Sequence, residues 1–380
     1  MLVQIHILQN YAPSNLNRDD TGAPKDAMFG GHRRGRISSQ CLKRSMRKSE
    51  AFGEAFDEEG LLGVRTRSLP ELVKEQLETL GADAETVRAI INRVPEIGRE
   101  STKRPRGEAA EDTEAEATSE DVGGTKQLIF VGRDELEPLA RSLLDLFTKH
   151  GAKAWPKVKI TDITAALGSS VPRSVDIAMF GRMTTSSAFE NVQAAVQVAH
   201  ALSTNAVTQE FDYFTAMDDL SDESSAEMIG DVEFNSSTYY RYINVQWEQL
   251  VENLGGDKAT ARRAVLALLE AALVAQPSGK QNTFAAFNLP DWAGVSVGDR
   301  NLPVSLANAF LKPVRAGRDQ SLVDASVERL GEYAARLRST YGLTDELAYV
   351  SVADQRLPVG EHQASFQDLR RWLAERLPEA

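Results

Sequence analysis

The sequence predicts an α+β fold built on a ferredoxin-like sheet. Three observations predict it. Segments of period two alternate with segments of helical period in the order strand, helix, strand, helix, strand, with later additions. A block from about Phe52 to Pro172 interrupts that order with mainly helical spacing and reads as an insertion. Two extended runs flank a polar stretch and read as a long hairpin, or as two arms with a mobile loop. A length of 380 residues suits two domains, or one with large insertions, and an apolar fraction of 42% is enough for a sizeable core.

The elements follow in order. Leu2 to Leu8 places Val3, Ile5 and Ile7 on one side and Leu2, Gln4, His6 and Leu8 on the other, which predicts a half-buried strand. Asn10 to Pro24 is turn-rich and predicts a loop carrying Asn17, Arg18, Asp19 and Asp20. A helix begins near Gln40, with Ser38 or Ser39 as its N-cap. Inside the insertion, Pro70 to Leu80, Ala84 to Val94, Leu136 to His150 and Ile160 to Leu167 have helical spacing, and Leu128 to Val131 is a short ordered run. Ser101 to Gly124 loses nearly all apolar residues and holds seven acids between Glu108 and Asp121, which predicts a disordered loop. Ser174 to Phe180 alternates and predicts a second strand. Phe189, Val192, Val196, Ala199 and Leu202 share a helical face and predict an amphipathic helix over Ser187 to Leu202. Asn205 to Tyr213 and Gly230 to Trp247 are the two sides of the hairpin, with Asp218 to Ser225 as its tip. Further helices are expected at Lys258 to Ala275, Pro303 to Ala316, Leu322 to Tyr341 and Phe366 to Leu377. Further strands are expected at Asn282 to Phe287, Gly294 to Val297 and Leu347 to Val352.

Charge is distributed unevenly. From Lys25 to Lys48 there are eight Lys or Arg (Lys25, Arg33, Arg34, Arg36, Lys43, Arg44, Arg47 and Lys48) against Asp26 alone, so this stretch is +7 in a chain of net −12. A basic island in an acidic protein is the electrostatic footprint of a polyanion site. Gly30, Gly31 and Gly35 predict a flexible loop that lets backbone N–H groups approach a ligand. The helix after it divides into an arc of Gln40, Lys43, Arg44, Arg47 and Lys48 and an opposite arc of Cys41, Leu42, Ser45, Met46 and Ser49. Its N-terminus and cationic outer face suit phosphates. The single cysteine, Cys41, rules out an intrachain disulfide and suits a reducing cytosol. Met1 to Leu8 is too short and polar for a signal peptide, and no apolar run is long enough to cross a bilayer, so a cytoplasmic protein without membrane contact is expected.

Gly30 to Lys48, Asn17 to Asp20, Val175 to Met183, Asp212 to Asp219 and Ala285 to Asn288 together resemble the CasC family. These are the crRNA-backbone subunits of the type I-E CRISPR surveillance complex, Cascade. The matching stretches run in the same order over most of the chain, and about Glu54 to Val171 matches least. The resemblance implies a hand: a ferredoxin-like, RRM-like palm at 1–53, 172–204 and 237–380, helical fingers at 54–171 containing the acidic loop 101–124, and a thumb hairpin at 205–236. It implies several copies stacked head to tail on one guide RNA, each thumb kinking the strand so that one base turns out and the others pair with target DNA. The guide is then held through its backbone, because base pairing reads sequence.

By position, the resemblance assigns phosphates and riboses to Lys25, Ser38, Gln40, Lys43, Arg44 and Arg47, with Asn17, Arg18 and Arg33 lining the same groove. Arg36 and Arg47 suit bidentate phosphate contact. Met183 is a wedge against bases, Phe214 inserts beside the turned-out nucleotide, and Lys280 and Gln281 add backbone contacts. By residue type alone Met183 and Phe214 suit a core better, and only the resemblance reverses that. The implied partners are crRNA, target DNA through the guide, other copies of the chain, other Cascade subunits and, indirectly, a Cas3-type nuclease-helicase. No cofactor, metal or catalysis is implied. One rival is a metal-dependent endoribonuclease using Asp19 or Asp20, although His6, His32, His150, His200 and His362 are scattered and no nucleophile motif or P-loop is present. The other rival is a stand-alone single-stranded RNA-binding protein.

Overall fold

In the computed structural model β1 (Leu2–Ser14) is an inner strand, and every side chain from Leu2 to Gln9 is buried. The expected wet face is therefore dry. Its polar members are paired instead: the Tyr242 hydroxyl donates to Gln4 Oε1 at 2.6 Å, and His6 Nδ1 lies 2.8 Å from the Tyr240 hydroxyl. The structure describes residues 1–97, 125, 128–167, 173–184, 186–216, 228–353 and 356–379. The acidic segment 101–124 and the hairpin tip 218–225 lie outside the described residues.

After β1 come β2 (Asp26–Phe29), β3 (His32–Ile37), α1 (Ser39–Arg47) and α2 (Glu50–Phe56). The next stretch holds β4 (Val64–Thr66), α3 (Leu69–Thr79), α4 (Ala84–Ile91), β5 (Ile129–Val131), α5 (Arg133–His150), α6 (Ile160–Ala166) and α7 (Val175–Phe180). Then follow β6 (Val196–Val198), β7 (Ala201–Ser203), β8 (Glu210–Ala216), β9 (Met228–Gln246), α8 (Trp247–Asn253), α9 (Lys258–Val274) and α10 (Gln281–Phe284). The chain closes with β10 (Trp292–Gly298), α11 (Leu322–Tyr341), β11 (Glu346–Ser351), β12 (Glu361–His362) and α12 (Phe366–Arg376). The described residues divide into two compact units, one of 1–55, 196–248 and 258–380, the other of 56–195 and 249–257.

Among the described residues the first unit carries a ten-stranded sheet in the order β12-β11-β10-β1-β9-β7-β3-β2, with β6 and β8 also paired to β9. β1 is antiparallel to both neighbours, in register Leu8↔Trp292 on one side and Leu8↔Tyr240 on the other. From Asn235 onward β9 pairs with β1; its outer part, up to Phe234, pairs only with β8 and forms a two-stranded arm. The register slips between Tyr11 and Ser14, where the arm departs. α11 covers one sheet face with Val327, Leu330 and Ala334 against Leu8, Tyr240, Tyr242 and Trp292. That helix has the predicted bounds because Ser321 caps it, accepting from Asp324 N at 3.0 Å, and Gly342 ends it in the left-handed region.

The second unit is mainly helical. Leu69, Val73 and Leu77 of α3, Ile90 of α4, Leu136, Leu139 and Leu143 of α5, and Trp155 share one core. A buried ion pair sits in this unit: Arg182 Nη1 and Nη2 meet Glu135 Oε2 and Oε1 at 2.6 and 2.9 Å. Both ends are further satisfied, by Glu190 O accepting from Arg182 Nε at 2.9 Å and by Gly132 N donating to Glu135 at 2.7 Å. No helix among the described residues is long and apolar enough to cross a membrane.

Five expectations are corrected. Ser174 to Phe180 is not a strand but the helix α7; Val175 to Met179 are all buried, so alternation carried no information there. Ser187 to Leu202 is not a helix. Arg182 and Val192 exchange backbone bonds of 2.9 and 2.8 Å, and β6 and β7 follow, with Val196 and Val198 buried and Gln197 exposed between them. Asn282 to Phe287 is not a strand; it holds the end of α10, which is flanked by left-handed Lys280 and Ala285. Pro303 to Ala316 contains only a 3-10 turn, Ala307–Phe310, because the Phe310 and Leu311 carbonyls are taken by Arg34 at 2.6 and 3.3 Å. The glycine loop before α1 is the turn of the β2–β3 hairpin, with Gly30 and Gly31 both at positive φ.

Candidate nucleic-acid interface

The N-terminus of α1 organises one corner of the first unit. Ser38 is its N-cap: its backbone is extended and its Oγ accepts from Cys41 N at 3.3 Å. Ser38 N in turn donates to Asn17 Oδ1 at 2.7 Å, Lys25 N donates to Asn17 O at 2.8 Å, and Arg36 N donates to Lys25 O at 2.8 Å. Four residues from three segments, Asn17, Lys25, Arg36 and Ser38, are thus stitched together through short hydrogen bonds. Asp19 builds the loop between them, accepting from Thr21 Oγ1 at 2.7 Å, Thr21 N at 2.9 Å and Ala23 N at 3.0 Å. The Thr21 hydroxyl and those amides hold its carboxyl below the usual range, against a small opposing effect of burial.

Charge converges on the same corner. Burial pushes the Cys41 thiol up, and the Arg44, Lys25 and Arg241 charges oppose that rise. On α1, Leu42 and Met46 are buried, Gln40, Arg44 and Lys48 are exposed, and Lys43 and Arg47 are half-buried. The cationic arc is graded rather than wholly outward. The hairpin contributes less charge than its sequence suggests. Arg34 is fully buried, with its guanidinium donating to Ser203, Thr204, Phe310 and Leu311 carbonyls. Arg33 forms an ion pair with Asp26 and donates to Gln209 Oε1 at 2.9 Å. Arg36 donates to the Asp26 carbonyl at 3.1 Å and lies 3.2 Å from His200 Nδ1. Arg18 is exposed, in a backbone bridge with Pro24.

The loop bearing Lys280 and Gln281 comes close to this corner. A Cβ at Gly279 would overlap the Leu16 carbonyl, so the two backbones touch. Lys280 is held at φ +51, outside the usual range for a residue with a side chain. The Gln281 amide is buried and donates to Pro277 O at 3.0 Å and Ala286 O at 3.3 Å, so it shapes the loop. Phe214 stands apart, on the arm, 40% exposed, with its ring across Gly230 of β9. Met183 belongs to the second unit and is 95% exposed, directly after the anchored Arg182. Phe287 and Leu289, which the sequence assigns no role, are exposed beyond α10; Asn288, Leu289 and Pro290 spell a turn just past the strand expected at Asn282 to Phe287. Among the described residues no group of three or more His, Cys, Asp or Glu could hold a metal ion.

The chain matches the family model Cas_CT1975, CT1975-like protein, over residues 3–375. It is 32% identical to a chain of a solved CRISPR RNA-guided surveillance complex, pre-nicking, with a TM-score of 0.78 over 100% of both chains. A chain of a second CRISPR RNA-guided surveillance complex is 26% identical, with a TM-score of 0.60 over 99% of each chain. No curated protein matches.

Proposed function

We propose that this chain, which belongs to the CT1975-like protein family, is a crRNA-binding backbone subunit of a CRISPR surveillance complex of the type I-E Cascade kind. Copies of it line up on one guide RNA in the cytoplasm, beside the other Cascade subunits, and present the guide for pairing with target DNA in antiviral defence. A Cas3-type nuclease-helicase is an indirect partner of the chain. In this reading the sheet of the first unit is the palm, the fingers lie within 54–171, and the arm of β8 and β9 is the thumb. The observation that carries it is the corner at Ser38, where a basic helix, Asn17, Lys25 and Arg36 are tied together by hydrogen bonds of 2.7 to 2.8 Å. Preorganised donors and cations grip a ribose-phosphate strand at little entropic cost and ignore its sequence.

The chain binds and does not cut. Asp19 already spends its carboxylate on Thr21 and Ala23, which supports a turn-forming role for it over a metal-ligating one. Incubation of the full chain with RNA and Mg²⁺ leaves the RNA intact in this account; cleavage that disappears in Asp20→Asn would overturn it. The test of binding is the double variant Lys25→Ala/Arg44→Ala. Its affinity for single-stranded RNA falls, and its log affinity becomes less steep in log salt by about 1.4 for each bound copy, at roughly 0.7 per phosphate contact. An unchanged salt dependence contradicts the reading.

A further inference from the structure

The first unit carries a second cationic surface that shares no residue with the Ser38 corner. After the 3-10 turn the chain runs Leu311, Lys312, Pro313, Val314, Arg315, Ala316, Gly317, Arg318. Lys312, Arg315 and Arg318 are exposed, and none of the three has a carboxylate partner among the described residues. The nearest acids in sequence are Asp319, which is exposed, Asp324, which accepts from Ser321 Oγ at 2.5 Å, and Glu328, which accepts from Gln320 Nε2 at 2.8 Å.

This segment is held in place. The buried Arg34 guanidinium binds its first carbonyls, Val314 N donates to Thr204 O at 2.9 Å, Gly317 N donates to Gln320 O at 2.9 Å, and Arg329 Nη1 donates to Lys312 O at 3.3 Å. Gly30 at the hairpin turn lies directly against Leu311, where any Cβ would overlap its carbonyl. A fixed loop presents cations without the ordering cost of a mobile tail. The surface is also separate from the corner. α1 begins at the far end of β3, whose six residues span roughly 20 Å at about 3.3 Å each. Arg33 and Arg34 between the two are already engaged with Asp26, Gln209 and backbone carbonyls.

We propose that Lys312, Arg315 and Arg318 form a second phosphodiester site, taking the backbone of duplex DNA irrespective of sequence. Duplex DNA carries one charge per about 1.7 Å of axis, so a rigid cluster of cations meets more phosphates on it than on a single strand. The proposal rests on the guide-binding reading only in leaving the Ser38 corner to RNA.

The test uses the full chain without guide, by fluorescence anisotropy, with a random-sequence DNA duplex and, separately, a single-stranded RNA. The triple variant Lys312→Ala/Arg315→Ala/Arg318→Ala binds duplex at least tenfold more weakly at low salt. Its salt dependence is shallower by about 2.7, at roughly 0.9 per phosphate, and its RNA binding is unchanged. Lys25→Ala/Arg44→Ala shows the reverse pattern. A wild-type chain that ignores duplex DNA, a triple variant that binds it normally, or a triple variant that loses RNA as much as DNA overturns the proposal. Failure of Lys25→Ala/Arg44→Ala alone sinks the guide-binding reading and leaves the duplex result standing.

Discussion

His6 shows how a single residue sets the conditions under which the first unit holds. It is buried, and its Nδ1 lies 2.8 Å from the Tyr240 hydroxyl, which accepts from Leu306 N at 2.8 Å. Burial pushes the ring pKa down from 6.5 to about 4, with the Asp345 charge opposing. The unfolded chain takes up a proton near pH 6.5 while the folded chain refuses it. Stability from the neutral ring is therefore full above pH 6.5 and is lost as pH falls through about 4, an effect of about 3 kcal/mol. Thermal melts between pH 7 and 4 show a shallower acid loss for His6→Gln than for the wild type; an equally steep loss contradicts this assignment. His6 was legible as a strand residue from its alternation, but its partners come from β9, far along the chain, and no local pattern announces them. Arg34 makes the same point in reverse. It counted toward the basic island in the sequence, yet in the fold its guanidinium is consumed by Ser203, Thr204, Phe310 and Leu311 carbonyls.

Among the elements, α1 was the most legible, because cap, apolar arc and basic arc all agreed with one helix. The burial of Leu42 and Met46 follows from spacing alone, and spacing narrows the cap to Ser38 or Ser39. The tie to Asn17 does not, since a loop's hydrogen-bond partners are set by the sheet beneath it. α7 and the stretch after it were misread for a physical reason: fully buried runs such as Val175 to Met179 suit a strand or a helix equally. Their anchor is the Arg182–Glu135 pair. Replacing Arg182 by Leu strands a buried carboxylate and costs about 3–5 kcal/mol. Urea melts followed by Trp155 fluorescence register the loss; a wild-type midpoint contradicts it. The arm makes a different prediction. Glu210, Asp212 and Asp231 are exposed on it, a charge that disfavours phosphate contacts, so in the proposed role Phe214 meets bases by stacking. Phe214→Ala weakens RNA binding by about 1–3 kcal/mol without altering the salt dependence. A change in salt dependence argues against stacking.

On the scale of the whole molecule, long periodic segments such as Leu322 to Tyr341 were readable because they survive any topology. Which strands neighbour one another was not, because β1 pairs with β9 and β10, both more than two hundred positions away in the chain. An arm leaving the sheet and a preorganised basic corner on the same unit suit a protein that repeats along a strand. The most direct test is the mass of the particle formed with single-stranded RNAs of increasing length, by native mass spectrometry. The account predicts that copies of the chain are added in steps as the RNA lengthens. A single bound copy at every length would contradict it.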